Sequence, residues 1–201
     1  PNGREALECL FGVLYGGFRA TMINLVAGSS AVSYALQHSG ARFAFVHPGQ
    51  MDLFEQTADL SFISPLDRQA ATGGPPAELH PLSAGDHALL MYTSGTTGRP
   101  KGVVHTHASL LAGGWTTAVA HELTPEDRGL CVLPIYHING LCVTVMGTLI
   151  SGGSLAMCER FSASRFWAHA GWSRATWFSV VPTIISHLLH SELDPVDSTR
   201  A

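Results

Sequence analysis

Residues that could hold a chain of phosphates are concentrated between positions 93 and 102. Two glycines, Gly95 and Gly98, precede Lys101 and lie among four hydroxyl side chains, those of Thr93, Ser94, Thr96 and Thr97. Glycine lets a backbone approach a ligand closely and turn its N–H groups toward it. Hydroxyl groups add hydrogen-bond donors, and the ammonium group of Lys101 adds a compact positive charge. The stretch therefore has the chemistry of a polyphosphate clamp.

The spacing within this stretch separates it from the Walker loop, G-x-x-x-x-G-K-[ST], which opens a helix. Arg99 and Pro100 stand between Gly98 and Lys101, and a proline disfavours helical angles at the residue before it. Apolar residues 88–91 and 103–104 flank the stretch, so we predict a loop that joins two strands. A surface turn rich in Ser, Thr and Gly would explain any one of these residues, but it does not explain the whole string.

A second candidate site lies at 134–140, where His137 and Asn139 follow an apolar run and precede another. In open α/β sheets, ligands bind beyond the carboxyl ends of the strands. Such a position would allow a neutral imidazole to donate a hydrogen bond to a carboxylate. The alternative is a core histidine whose ring is satisfied by backbone carbonyl groups, and residue types alone favour that alternative.

Residues 93–102 resemble, nearly letter for letter, the phosphate-loop signature of the AMP-forming acyl-CoA synthetases, which belong to the adenylate-forming ligase superfamily. Residues 134–140 resemble the next motif of that family, in which a histidine or an aromatic residue lines the pocket between the acyl carboxylate and ATP. Residues 161–167, 175–177 and 181–183 are most similar to the ligases of small acids such as oxalate or sulfoacetate.

The resemblance implies that a carboxylic acid is activated by ATP and Mg²⁺ to an acyl-adenylate and then joined to coenzyme A. It implies catalytic roles for Lys101 and His137. It also implies contacts to the nucleotide or to coenzyme A from Thr93, Ser94, Gly95, Thr96, Thr97, Gly98, Lys101, Asn139 and Arg160.

Arg160 matches a position at which a basic residue can meet a phosphate of coenzyme A, and a solvated arginine at a strand end is the alternative. No metal ligand is predicted here, because the family's magnesium-binding glutamate, ribose-binding aspartate and C-terminal catalytic lysine are expected downstream. The 201 residues alone are therefore expected not to turn over. Two alternative functions remain, namely loading of a carrier-protein thiol and a non-catalytic nucleotide-binding remnant.

The elements that must position these residues alternate between helix and strand. Apolar stripes and turn residues predict an α/β fold of mostly parallel sheets flanked by helices. The helices are predicted at 4–15, 31–38 (capped by Ser29 or Ser30), 107–120, 141–150, 163–170 and from 182. Strands are predicted at 18–24, 43–47, 102–106, 130–133, 155–158 and 175–180. Residues 49–81 are predicted to be a surface excursion without chemistry.

The composition limits the class of protein. A net charge of −4 without a basic cluster argues against nucleic-acid binding. Only 13% of the residues are charged, which suggests that the remainder of its own chain covers much of this segment. We predict that 1–201 is one incomplete N-terminal adenylation domain and that the C-terminal lid domain is absent from it.

Four cysteines without a C-x-x-C pair predict buried thiols, no zinc site and a cytoplasmic protein. Residues 129–158 carry no charge, but Pro134, His137 and several glycines interrupt them, so a buried strand, loop and helix is predicted instead of a membrane span.

Overall fold

A computed structural model of the chain describes residues 2–57, 60–66, 75, 77–93 and 100–190. The chain divides into two compact units. We call Arg4–Ala108 the N-terminal unit, and we call Pro1–Gly3 together with Ser109–Ala201 the C-terminal unit.

The N-terminal unit alternates helices and strands. Its elements are α1 (Arg4–Tyr15), β1 (Ala20–Met22), α2 (Ser29–Ser39), β2 (Phe43–Val46), α3 (Met51–Thr57), β3 (Phe62–Pro65), β4 (His87–Thr93) and β5 (Lys101–Thr106). Strand β4 lies between β1, to which it is parallel, and β5, to which it is antiparallel. Strands β2 and β3 form a separate parallel pair. Residues 88–91 of β4 are at most 4% exposed, so this strand is the buried centre of its sheet.

Helix α4 (His107–Ala120) follows β5 and contains the division between the units. The other elements of the C-terminal unit are β6 (Arg128–Cys131), a π-helix (Asn139–Met146) that continues into α5 (Gly147–Ile150), β7 (Ser154–Met157), α6 (Phe166–Ser173), β8 (Trp177–Phe178) and α7 (Pro182–Leu189). Strand β6 lies between β7 and β8 and is parallel to both. The core beside this sheet consists of Leu130, Val132, Leu133, Cys158, Phe166 and Ile184.

The predicted fold class is confirmed. Each strand pair in the described residues is parallel except β4 with β5, and helices flank the strands along the chain. Helices α1 and α4 have the predicted bounds, because each carries a long apolar stripe. Gly16 and Gly17 follow the last residue of α1. Gly17 has a φ of 81°, and the N–H of Phe18 donates to the carbonyl oxygen of Val13 at 3.0 Å.

The prediction for 49–81 is wrong in its first half. This segment contains α3 and β3, and β3 pairs in parallel with β2 from Phe43↔Phe62 to Val46↔Pro65. Phe54 of α3 is 6% exposed and packs with Val32, Leu36 and Val46. The segment therefore completes a core. The turn-rich sequence at 72–76 lies outside the described residues except for Pro75.

Several element ends also differ from prediction. Helix α2 begins after Gly28, which has a φ of 89° and no side chain to cap the helix, so neither Ser29 nor Ser30 is the cap. Strand β8 has two residues where six were predicted. In α7 only Ile184 is buried, and Ile185 and Leu189 are 45% and 77% exposed.

The four cysteines are free thiols; three are buried and Cys9 is half-buried. Burial raises the pKa of all four thiols. The pKa of Cys131 reaches about 12, since burial is reinforced by the neighbouring Cys158. These groups therefore act as small apolar side chains. No helix within the described residues has the length and apolar character that crossing a membrane requires.

Candidate active site

The phosphate loop begins and ends on a β-hairpin. The last residue pair of β4 and β5 is Thr93 with Lys101, followed inward by Tyr92 with Gly102. The prediction that this loop joins two strands is therefore confirmed. Thr93 and Lys101 are both exposed, and they face each other across the open end of the hairpin. The intervening candidates Ser94, Gly95, Thr96, Thr97 and Gly98 lie outside the described residues.

Two features fix the hairpin. Residues 88–91 of β4 are buried, and Gly102 of β5 lies close to side chains of β4. A Cβ atom at Gly102 would lie 3.0 Å from Cδ1 of Leu90 and 3.4 Å from Cε1 of Tyr92. A larger residue would therefore force these side chains away. The next residue toward the loop is Lys101, which is the only lysine of the 201-residue sequence.

Tyr92, the residue before Thr93, links the hairpin to α2. Its hydroxyl donates to the carbonyl oxygen of Ala35 at 3.2 Å and lies 2.9 Å from Nδ1 of His38. Burial, reinforced by Tyr34 and opposed by Arg19, raises the pKa of Tyr92. No local sequence pattern indicates this contact, since the two rings are separated by 54 residues.

His137 is exposed and lies on the turn that follows β6. Its N–H donates to the carbonyl oxygen of Pro134 at 3.1 Å, and its own carbonyl oxygen accepts from the N–H of Leu141 at 3.0 Å. The ring of Tyr136 is 4.7 Å away, centroid to centroid. The alternative of a core histidine is therefore wrong, and the imidazole is open to a ligand.

Asn139, the first residue of the π-helix, is anchored to the segment that follows β8. Its Oδ1 accepts a hydrogen bond from Oγ of Ser179 at 2.8 Å, and Ser179 comes directly after β8. This bond joins the segments that leave β6 and β8. Ser179 was not a predicted site residue, because a serine after a short strand carries no signal of its own. A direct contact from Asn139 to a ligand stays a prediction.

Arg160 is exposed and follows β7. Because β7, β6 and β8 are parallel neighbours, the segments that carry Arg160, His137 and Ser179 leave the sheet at the same carboxyl edge. Ligands of open α/β sheets bind at this edge. No hydrogen bond or ion pair links Arg160 to His137 within the described residues.

Metal binding has no candidate in the part of the chain that the structure describes. No three histidine, cysteine, aspartate or glutamate side chains there form a group that could hold an ion.

This chain is similar in sequence to known proteins. The family model of the AMP-binding enzymes matches residues 1–200. The sulfoacetate–CoA ligase of Cupriavidus necator is 40% identical over an alignment that covers 94% of this chain and 40% of that protein. A crotonobetaine/carnitine–CoA ligase of Escherichia coli is 39% identical over 109 residues, or 54% of this chain and 21% of that protein.

Two solved structures also match this chain. The ATP-bound MatB of Rhodopseudomonas palustris has a TM-score of 0.80 and 28% identity over 98% of this chain and 41% of its own. The O-succinylbenzoate coenzyme A synthetase of Bacillus subtilis, in complex with AMP, has a TM-score of 0.83 and 26% identity over 98% of this chain and 50% of its own. This chain thus spans half or less of these relatives. It belongs to the AMP-binding enzyme family, as its phosphate-loop residues predict.

Proposed function

We propose that the protein containing this chain is an AMP-forming acid–thiol ligase. A carboxylate oxygen attacks the α-phosphorus of ATP, the bond to the β-phosphate breaks, and acyl-adenylate and pyrophosphate form. The sulfur of coenzyme A then attacks the acyl carbon and AMP leaves. The observation that carries this proposal is the hairpin with Thr93 opposite Lys101, because the sequence between them is a phosphate-loop signature.

The chain's own residues would act by positioning and by neutralising charge, on which nucleotidyl transfer mainly depends. Lys101 would hold the β- and γ-phosphates together with Thr93 and the loop. His137 would donate a hydrogen bond to the carboxylate or gate its entry, and Asn139 would support it. Mg²⁺, when bound, would neutralise phosphate charge, and we assign it no ligand in this chain.

The second half-reaction would use Arg160, whose planar fork of donors suits a phosphate of coenzyme A. The exposure of Arg160 at the carboxyl edge of the sheet supports this assignment. Relatives that are coenzyme A ligases, at 40% and 39% identity, favour coenzyme A over a carrier-protein thiol. They also make a small acid such as sulfoacetate the first substrate to test.

We further propose that residues 1–201 belong to one incomplete N-terminal adenylation domain of a cytoplasmic enzyme. The lid domain and the residues that hold magnesium and ribose would lie elsewhere in the protein. On that basis we expect the 201 residues alone to form no acyl-CoA.

The test is Lys101→Ala in the full-length protein. We expect acid-dependent exchange of pyrophosphate into ATP to fall by well over about tenfold, because the leaving pyrophosphate loses a positive charge. Arg4→Ala is the matched control: it also removes one cation, but from an exposed pair with Glu8 on α1. An unchanged rate in Lys101→Ala would remove the loop from the mechanism.

The same assay separates the alternatives. A nucleotide-binding remnant would show no acid-dependent exchange. A carrier-loading enzyme would show exchange without transfer to free coenzyme A, whereas the proposed ligase would show both.

A further inference from the structure

Asn2 is a buried amide side chain, 8% exposed, that bonds to backbone far along the chain. Its Nδ2 donates to the carbonyl oxygen of Leu133 at 2.9 Å, and its Oδ1 accepts from the N–H of Ile135 at 3.0 Å. All three residues belong to the C-terminal unit. Reversing the amide would place donor against donor and acceptor against acceptor, so the hydrogen bonds themselves fix its orientation.

These two bonds satisfy the polar backbone groups on either side of Pro134. Proline has no N–H, and backbone groups that are buried need partners. Leu133 and Ile135 are 7% and 3% exposed. The Asn2 side chain thus supplies one hydrogen-bond donor and one acceptor to this bend. In a regular strand, the backbone of a neighbouring strand would supply them.

The opposite side of the bend is closed by Gly140. A Cβ atom there would overlap the carbonyl oxygen of Pro134 and lie 2.9 Å from that of Leu133. The bend is therefore fixed between Asn2 and the first turn of the π-helix. His137 is joined to it directly, since its N–H donates to the carbonyl oxygen of Pro134.

We propose that Asn2 is a positioning residue for His137. It holds the bend 133–135 and so sets where the exposed imidazole stands at the carboxyl edge of the sheet, without touching a substrate. The role of His137 in this inference rests on the proposed function. The hydrogen bonds from Asn2 to the bend 133–135 do not depend on the proposed function.

The first experiment measures the bend itself in the full-length protein. Asn2→Ala should raise hydrogen exchange at the amide of Ile135 by about tenfold or more, because that N–H loses its acceptor. It should also change the rate at which diethyl pyrocarbonate modifies His137. Asn24→Ala is the matched control, since Asn24 likewise accepts from a backbone N–H, that of Val26, but in the N-terminal unit. If Asn2→Ala does not fold, Asn2→Asp serves through the modification of His137 alone, because it loses the donor to Leu133 but keeps the acceptor for Ile135.

The second experiment asks whether Asn2 acts through His137. Asn2→Ala should lower acid-dependent pyrophosphate exchange by about tenfold alone and by less than about twofold in a His137→Phe background, because the group it positions is then gone. An equal loss in both backgrounds would make Asn2 merely structural. If Asn2→Ala changes neither the hydrogen exchange of the Ile135 amide nor the modification rate of His137, the inference is overturned. A wild-type protein without acid-dependent pyrophosphate exchange would refute the proposed function, while the first experiment would still decide the inference.

Discussion

The carboxylate of Asp127 links the segments that enter β6 and β8. Its Oδ1 accepts from Oγ1 of Thr176 at 2.7 Å, and its Oδ2 accepts from the N–H and the hydroxyl of Thr124 at 2.8 and 3.0 Å. Thr176 in turn accepts from the N–H of Arg128 at 2.9 Å. These donors favour the charged form, with Thr176 the largest cause, and they hold the pKa of Asp127 below its usual range.

This lowered pKa predicts a pH dependence of stability. The carboxylate stabilises the fold above its unfolded-state pKa of about 4, and this contribution is lost as the pH falls through the lower native pKa. Asp127→Ala should therefore unfold at lower urea concentration than the wild type at pH 7, and the difference should shrink as the pH falls below about 4. Urea unfolding of both proteins between about pH 3 and 7 measures this.

Glu126→Ala is the control for the Asp127 experiment, because Glu126 is an exposed neighbouring carboxylate. It should change the urea midpoint little at any pH. A midpoint difference for Asp127→Ala that stays constant over the whole range would contradict the assignment of these hydrogen bonds to the charged form.

Individual site residues divide into those that sequence could indicate and those that it could not. Thr93 and Lys101 stand in a dense local string, so their residue types alone point to phosphate chemistry. Asn2, Ser179 and the His38–Tyr92 pair act through partners 131, 40 and 54 residues away. No local pattern marks such contacts, because each side chain is ordinary for its own segment and gains its role only when distant strands come together.

At the scale of elements, length decided what could be predicted. Helices α1 and α4 have 12 and 14 residues and show their apolar stripe over more than three turns. Helix α3 has seven residues, so its apolar pattern repeats too few times to be distinguished from a loop. Strand β3 is as short as the predicted strands β2, β6 and β7, but it ends in Pro65, and a proline argues against a strand. The pairing of β2 with β3 accompanies the packing of Phe54 into a core of residues distant in sequence, which no local pattern shows.

Helix α4 packs closely on the segment after His137 through two glycines. A Cβ atom at Gly113 would lie 2.5 Å from Sγ of Cys142, and one at Gly114 would lie 2.5 Å from Cδ1 of Ile150 and 2.8 Å from Cβ of Met146. These glycines allow close packing, and the neighbour is the π-helix with α5. Glycine at these two positions therefore lowers helix propensity but permits close contact between the helices.

This packing predicts that Gly114→Ala destabilises the protein. Alanine improves helix propensity by about 1 kcal/mol, but overpacking costs about 1–3 kcal/mol, so the free energy of unfolding should fall. Gly12→Ala is the matched control, because Gly12 lies inside α1 with nothing within 4 Å of its Cβ position. It should raise the free energy of unfolding by about 0.5–1 kcal/mol. Two changes of the same sign, measured by urea unfolding, would contradict this account.

At the scale of the whole molecule, large apolar side chains are exposed on α4 and on the pair of strands β2 and β3, and only 13% of the residues are charged. Helix α4 carries an exposed stripe of Leu111, Trp115 and Val119, which are 55%, 63% and 59% exposed and stand four residues apart on one face. Strands β2 and β3 expose Phe43, Phe45 and Phe62 by 61%, 52% and 53%. Surfaces of this kind mark interaction sites, and the relatives are at least twice as long as the part matched here.

We therefore expect the remainder of the full-length protein to cover Trp115. Trp115→Glu should lower the free energy of unfolding of the full-length protein by about 2 kcal/mol or more, because a charge would replace a large apolar side chain in a buried contact. Thr116→Glu, the adjacent exposed position on the same helix, should have little effect. Hydroxyl-radical footprinting gives an independent measurement, since oxidation of Trp115 should be low in the full-length protein. Rapid oxidation of Trp115 there, or equal tolerance of both substitutions, would mean that this stripe of α4 faces solvent in the whole enzyme.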